Sequence, residues 1–315
     1  MAVVALIILT VGLLQGSFIL STFQSMFPKG ARKTRLQKCF NAFQVAPVII
    51  MEIAEIWLFF MVFLPADIET PWTSIKGWIL TAIALYLWIN MVFNYMAAML
   101  VNPGYPKTKD ELEDYGGIDF GVQVFCSKCN RIRDNGTHHC STCGTCVLLM
   151  SHHCPFTNNC IGLNNFLYFY LFQVYCTLGL VFSVYCTHNA FVACFMYPSS
   201  AREIFYPRYK AQCANLGDYP VLFIVAILLL IFMMGVLFYH SMLLVIDASM
   251  IEFLRLFQRS STMREFVGTL WGRMIGRRKV FLRRLVLDRR GRFWKFLVPS
   301  LNDVEEIFSS DELPV

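Results

Sequence analysis

Charge is scarce in this sequence: Asp, Glu, Lys and Arg together make up 15% of its 315 residues, against 57% hydrophobic residues. That balance excludes a disordered chain, which cannot bury enough apolar surface to fold, and an ordinary soluble domain, where about 25% of residues are charged. Low-complexity tracts are missing and no internal repeat is evident, so a solenoid is not expected. The first residues lack a basic n-region and a clear small-residue cleavage site, and residues 2–20 are therefore read as a retained membrane helix rather than a removed leader. Nucleic-acid binding has only the net charge of +6 in its favour, so no nucleic-acid partner is expected.

What is abundant is apolar sequence in long runs, and the mean hydropathy is +0.53. A transmembrane helix needs about 20 mostly apolar residues. Five segments qualify: 2–20, 45–65, 77–101, 166–197 and 221–246. Loops rich in Lys and Arg stay cytoplasmic, which places Lys29, Arg32, Lys33, Arg35 and Lys38 in the cytosol. The second and third segments then form a hairpin with its tip near Asp67 and Glu69 in the lumen, and the polar stretch after it returns to the cytosol. Residues 248–315 carry 13 Lys/Arg against 8 Asp/Glu. Aromatic residues such as Phe253, Trp271 and Trp294 interleave with them, as in helices lying on anionic lipid.

The polar stretch reads CSKCNRIRDNGTHHCSTCGTCVLLMSHHCPFTNNC and holds seven of the chain's 12 cysteines. Cytosolic thiols stay reduced, so such a cluster points to metal rather than to disulfides. A structural zinc takes four thiolate or imidazole ligands. Two sites need eight, and seven cysteines with His138, His139, His152 and His153 exceed that number. A RING-like cross-brace would end in another C-x2-C pair, and a plain zinc ribbon would leave His152, His153 and Cys154 unexplained. Something other than metal claims Cys154.

The stretch resembles the cysteine-rich domain of the DHHC family of protein S-acyltransferases. The pattern C-x2-C-x9-H-C-x2-C-x2-C-x4-D-H-H-C-x5-C-x4-N-x3-F is matched from Cys126 through Asn165 and Phe169, except that Ser151 stands in place of Asp. The resemblance implies a membrane all-α fold: a four-helix transmembrane core, with an extra N-terminal helix as an option, and a small cytosolic two-zinc domain. The expected division is 1–39 for the extra helix and a basic loop, 40–101 for a hairpin, 102–165 for the cysteine-rich domain, 166–247 for a second hairpin and 248–315 for the tail. One zinc would be held by Cys126, Cys129, His139 and Cys146, the other by Cys140, Cys143, His153 and Cys160. His138 is expected to face solvent or to orient a neighbour.

By the same resemblance, Cys154 takes a palmitoyl or similar acyl group from acyl-CoA and passes it to membrane-proximal cysteines of substrate proteins. His152 accepts the thiol proton and Ser151 stands where an aspartate would orient the imidazole. Placement in the ER or Golgi, with contacts to membrane lipids, goes with this reading. Two other family signatures differ, as Asn102-Pro103-Gly104 for Asp-Pro-Gly and Ser249-Met250-Ile251-Glu252 for Thr-Thr-x-Glu. Asn302 is the candidate for a C-terminal asparagine motif. The alternative is a catalytically weak or inactive relative acting as a zinc-stabilised membrane binding protein, and a membrane ubiquitin ligase is a third class. Glu52 and Glu55, one helical turn apart within the second segment, are expected to play a structural or protonated role within the bundle, with a functional polar contact as the alternative. Cys176, Cys186 and Cys194 are expected to act as small packing residues.

Overall fold

The computed structural model describes residues 35–64, 73–108, 125–133, 136–205, 209, 213, 218–246 and 248–275. Helix α1 is Arg35–Leu58 and continues as a π turn, Phe59–Phe63. Helix α2 is Ile75–Leu100. Four three-residue strands follow: β1 His138–Cys140, β2 Thr145–Val147, β3 His152–Cys154 and β4 Asn159–Ile161. Helix α3, Phe166–Phe191, runs into a second π turn, Val192–Met196. Helices α4 (Ser199–Phe205), α5 (Asp218–Val245), α6 (Met250–Arg259) and α7 (Met263–Ile275) complete the described chain.

Among the described residues, three helical stretches are long and apolar enough to cross a membrane: Ile75–Leu100, Phe166–Met196 and Leu222–Val245. Such segments are helical because a helix satisfies its backbone hydrogen bonds internally where no water is present to do so. Residues 45–63 are helical too and hold Glu52 and Glu55. Three of the four expected core spans are thus found among the described residues. Residues 2–20 and 276–315, including Asn302, lie outside the described residues.

Two compact units divide the chain. One takes in Met1–Val92 and Phe172–Tyr239. Its core joins Leu58, Phe59, Leu80, Ala84, Cys186 and Leu222. Glu52 is buried, at 6% exposure, and its carbonyl accepts a hydrogen bond from Trp88 Nε1 at 2.8 Å. Glu55 lines a small cleft with Trp88, Tyr175 and Ser183. Cys194 corrects the expectation of simple packing, because it forms a disulfide with Cys213, surrounded by Ala190, Ala193 and Tyr209.

The other unit takes in Phe93–Leu171 and His240–Val315. Here the strands pair as two antiparallel hairpins, β1 with β2 and β3 with β4. Asn159 anchors the second hairpin to the end of α2, donating from Nδ2 to the carbonyls of Ala98, Met99 and Val101 at 3.0–3.2 Å. Asn165 adds a second tie: its Nδ2 donates to Ala98 and Cys160 carbonyls, and its Oδ1 accepts from Gly162 N–H. The Ala98 and Met99 carbonyls are among the unpaired ones at a helix C-terminus, so both asparagines supply partners that the helix backbone cannot. Gly162 is required by close approach, since a Cβ there would lie 2.5 Å from Val147 Cγ1 and 2.7 Å from the Pro103 carbonyl.

The two altered signatures are structurally intact. Asn102 Oδ1 accepts from Gly104 N–H at 2.9 Å, a turn that asks for an oxygen but no charge, and Gly104 adopts φ of 98°. Ser249 and Glu252 form a reciprocal capping box at the start of α6, each side chain accepting the other's backbone N–H at 3.2 Å. Phe253 and Phe257 of α6 then pack on Phe266 of α7, with ring centroids 5.4 and 5.3 Å apart.

Candidate metal centres and reactive cysteine

Alternation along short strands sorts the site's side chains. In β1, His139 points to the face opposite His138 and Cys140, and it pairs directly across from Cys146 of β2. In β3, His153 likewise points away from His152 and Cys154, and pairs across from Cys160 of β4. The hairpins thereby bring together Cys126, Cys129, His139 and Cys146, and separately Cys140, Cys143, His153 and Cys160, with all ligand atoms of a set within 4.8 Å of one another.

These sets fit zinc by distance as well as by donor type. Tetrahedral bonds of about 2.3 Å to sulfur and 2.0–2.1 Å to nitrogen place S···S near 3.8 Å and S···N near 3.6 Å. The first set has Cys126 Sγ 3.6 Å from His139 Nδ1 and Cys129 Sγ 3.5 Å from Cys146 Sγ. In the second, His153 Nδ1 lies 3.7, 3.5 and 3.6 Å from the sulfurs of Cys140, Cys143 and Cys160. Such ions would act structurally, tying strands too short to hold a core of their own.

Cys154 belongs to neither set. It is buried at 4% exposure among Ala97, Ala98, Phe166, Phe169 and Leu244. Burial raises its pKa, opposed by hydrogen bonds from the Thr157 side chain and the backbone of Thr157 and Phe156. Reactivity at neutral pH therefore asks for a proton acceptor. His152 shares its face of β3. Its Nδ1 lies 3.2 Å from the Oγ of Ser151, which is fully buried. Burial, with His240 and His153 as neighbours, lowers the His152 pKa to about 3, so the ring is neutral at rest and its protonated form needs stabilising.

Packing holds that ring as well. Phe169 meets it edge-on at 5.2 Å between centroids, and His240 of α5 lies 6.2 Å from it and 5.3 Å from Phe169. His138 differs from expectation: it is buried, at 8% exposure, rather than facing solvent. His240, Asn159 and Tyr95, whose hydroxyl donates to the Phe156 carbonyl at 2.8 Å, carried no signal in the sequence, because their partners lie about 60 or more residues away.

Residues 120–256 match the family described as DHHC palmitoyltransferase. The chain carries a DHHC palmitoyltransferase domain. Relatives of this DHHC domain include zebrafish palmitoyltransferase ZDHHC16A, 30% identical over 137 residues, which are 43% of this chain and 33% of the relative. Human palmitoyltransferase ZDHHC3 is 36% identical over 125 residues, covering 35% of this chain and 42% of the relative. The probable protein S-acyltransferase 14 of Arabidopsis is 28% identical over 237 residues, covering 71% and 70%. The chain thus spans a third to less than half of the first two and over two thirds of the third. Within the DHHC domain Ser151 still replaces the aspartate that gives the family pattern its first letter.

Proposed function

We propose that this protein is an S-acyltransferase that moves a fatty acyl group from acyl-CoA to protein cysteines through Cys154. The observation that carries this reading is selective: of seven cysteines in the stretch, six fall into the two Cys3His sets and Cys154 alone is left, beside a neutral His152. The eight residues of those sets are the zinc ligands of this proposal. The Cys154 proton passes to His152 as sulfur attacks the thioester carbonyl. The carbon–sulfur bond to CoA breaks, and the departing CoA thiolate takes the proton from His152. A substrate thiol then attacks S-acyl-Cys154, losing its proton to His152, which returns it to the Cys154 sulfur. Ser151, bonded at Nδ1, leaves Nε2 to carry the proton and fixes the ring without adding charge. Purified protein given labelled palmitoyl-CoA and a peptide with a lipid-anchored cysteine should follow ping-pong kinetics. Transfer without an enzyme-bound intermediate would contradict the proposal.

The uncharged Ser151 favours the second reading, a non-catalytic relative that binds partners, because a hydroxyl stabilises imidazolium less than a carboxylate does. That reading expects two zinc ions and no acylation of Cys154.

For sidedness, the thiol sets precede α3 and the disulfide Cys194–Cys213 follows it. Reduced thiols belong to the cytosol and disulfides to an oxidising lumen. Between them in the chain lies α3, in a stretch long and apolar enough to cross a membrane, and this order supports a cytosolic DHHC domain in an endomembrane such as the ER or Golgi. In sealed microsomes, an impermeant maleimide should modify the metal-stripped DHHC cysteines without detergent. Cys213 should become reactive only after both detergent and reductant. Labelling in the reverse order would invert the topology.

A further inference from the structure

A hydrogen bond at one ring nitrogen does not fix an imidazole. The second side-chain torsion of histidine is broad, so the ring can swing about that contact. His152 has such a contact, between its Nδ1 and Ser151 Oγ at 3.2 Å, and the hydroxyl brings no second oxygen as a carboxylate would. Neighbouring rings remove the remaining freedom. Phe169 stands edge-on to His152, with centroids 5.2 Å apart and planes at 66°, and His240 lies 6.2 Å away at 38°. His240 is in turn edge-on to Phe169 at 5.3 Å and 82°, and 6.4 Å from Phe166. Every one of these separations falls within the range of aromatic contact, about 4.5–7 Å.

Two helix faces build this corner. Residues three and four apart lie on one side of a helix. Phe166, Phe169 and Tyr170 are so spaced in α3, and His240 and Leu244 in α5. His240 meets the His152 ring, while Leu244, one turn on, belongs to the buried cluster that holds Cys154, Phe166 and Phe169. One face of α5 therefore serves both members of the reactive pair. Ser241, next in the chain, has its Oγ 2.9 Å from the Tyr170 hydroxyl and ties α5 to α3 beside the Phe169–His240 contact. His240 itself is buried.

We propose that His240 is a positioning residue for the reactive pair: its ring, with that of Phe169, holds the plane of His152 on the strand face that His152 shares with Cys154. Packing from a separate helix thus does part of the orienting that an aspartate at position 151 would do by charge. The inference rests on the proposed acyl transfer for its consequence, and on ring geometry alone for its argument.

The test is a double-mutant cycle in the full-length protein, comparing native, His240→Ala, His152→Ala and the double variant, with His240→Phe as the conservative replacement. Two rates are read at one pH: labelling of Cys154 by palmitoyl-CoA, and its alkylation by iodoacetamide without acyl-CoA. Loss of one aromatic contact in His240→Ala should slow both about three- to tenfold. The KM for palmitoyl-CoA and the zinc content should stay at their native values, and His240→Phe should bring both rates back to within about twofold of native. In the His152→Ala background, His240→Ala should change neither rate by more than about twofold, because the ring it positions is gone. A general loosening of α5 against α3 would instead slow both backgrounds alike, and that result overturns the inference. Alkylation at the native rate in His240→Ala, His240→Phe as slow as His240→Ala, or loss of zinc from both of these variants also overturns it. If alkylation shows the expected coupling while native protein takes no acyl label, the positioning role stands and the acyltransferase reading fails.

Discussion

His153→Ala is expected to remove one zinc ion outright and to unfold the β3–β4 hairpin, leaving less than two ions per chain, while Cys154→Ala keeps both. The effect is large because His153 sits within 3.7 Å of all three sulfurs of its set, so its loss opens the whole tetrahedron. Structural zinc contributes roughly 10–16 kcal/mol of apparent binding energy in small peptides, far above the stability of a hairpin of three-residue strands. Cys140 links the hairpins, lying in β1 of the first and ligating with the second, so the damage should spread to Cys129 and its partners. Metal content by mass spectrometry and protease resistance are the readouts. Two ions in His153→Ala, or fewer than two in Cys154→Ala, would break the assignment.

The second large effect belongs to His152. His152→Ala should slow acylation of Cys154 by about 10²–10⁴-fold, the usual contribution of general-base assistance. Burial holds the Cys154 thiol protonated, and His152 lies on the same strand face. Ser151→Asp should accelerate the reaction, because a carboxylate beside Nδ1 stabilises the imidazolium as the present 3.2 Å hydroxyl contact cannot. Ser151 is fully buried, so the added charge is tolerable only if His152 or the domain's basic residues pair with it. The measurement is the rate at which hydroxylamine-sensitive label enters Cys154. A neutral effect of Ser151→Asp, with native protein labelling well, would mean that something else orients His152; the Phe169 and His240 rings are placed to do so.

Much of the candidate site was legible because metal ligation is local in sequence. Both ligand sets come from a span of 35 residues, and strand alternation turns their spacing directly into faces. The membrane helices were legible where charge is absent. Their ends were less legible, since α1 starts at Arg35, ten residues earlier than its apolar run suggests. Signatures that looked degraded proved to be backbone devices. Asn102 and the Ser249–Glu252 pair keep the oxygen or the capping geometry their turns require, and that requirement is weaker than residue identity. What could not be read depends on tertiary closure: the tie of Asn159 to the end of α2, the place of His240 beside His152, and the partner of Cys194. No periodicity links residues so far apart along the chain.

The central claim is that Cys154 is a nucleophile and not a ligand. The direct measurement is intact-protein mass after brief incubation with palmitoyl-CoA, for native protein and for Cys154→Ala with two zinc ions retained. The account predicts a mass increase of one palmitoyl group on native protein, reversed by neutral hydroxylamine, mapped to Cys154 and absent from Cys154→Ala. An unmodified native protein with both zinc ions bound, or an equal increase in Cys154→Ala, would contradict it.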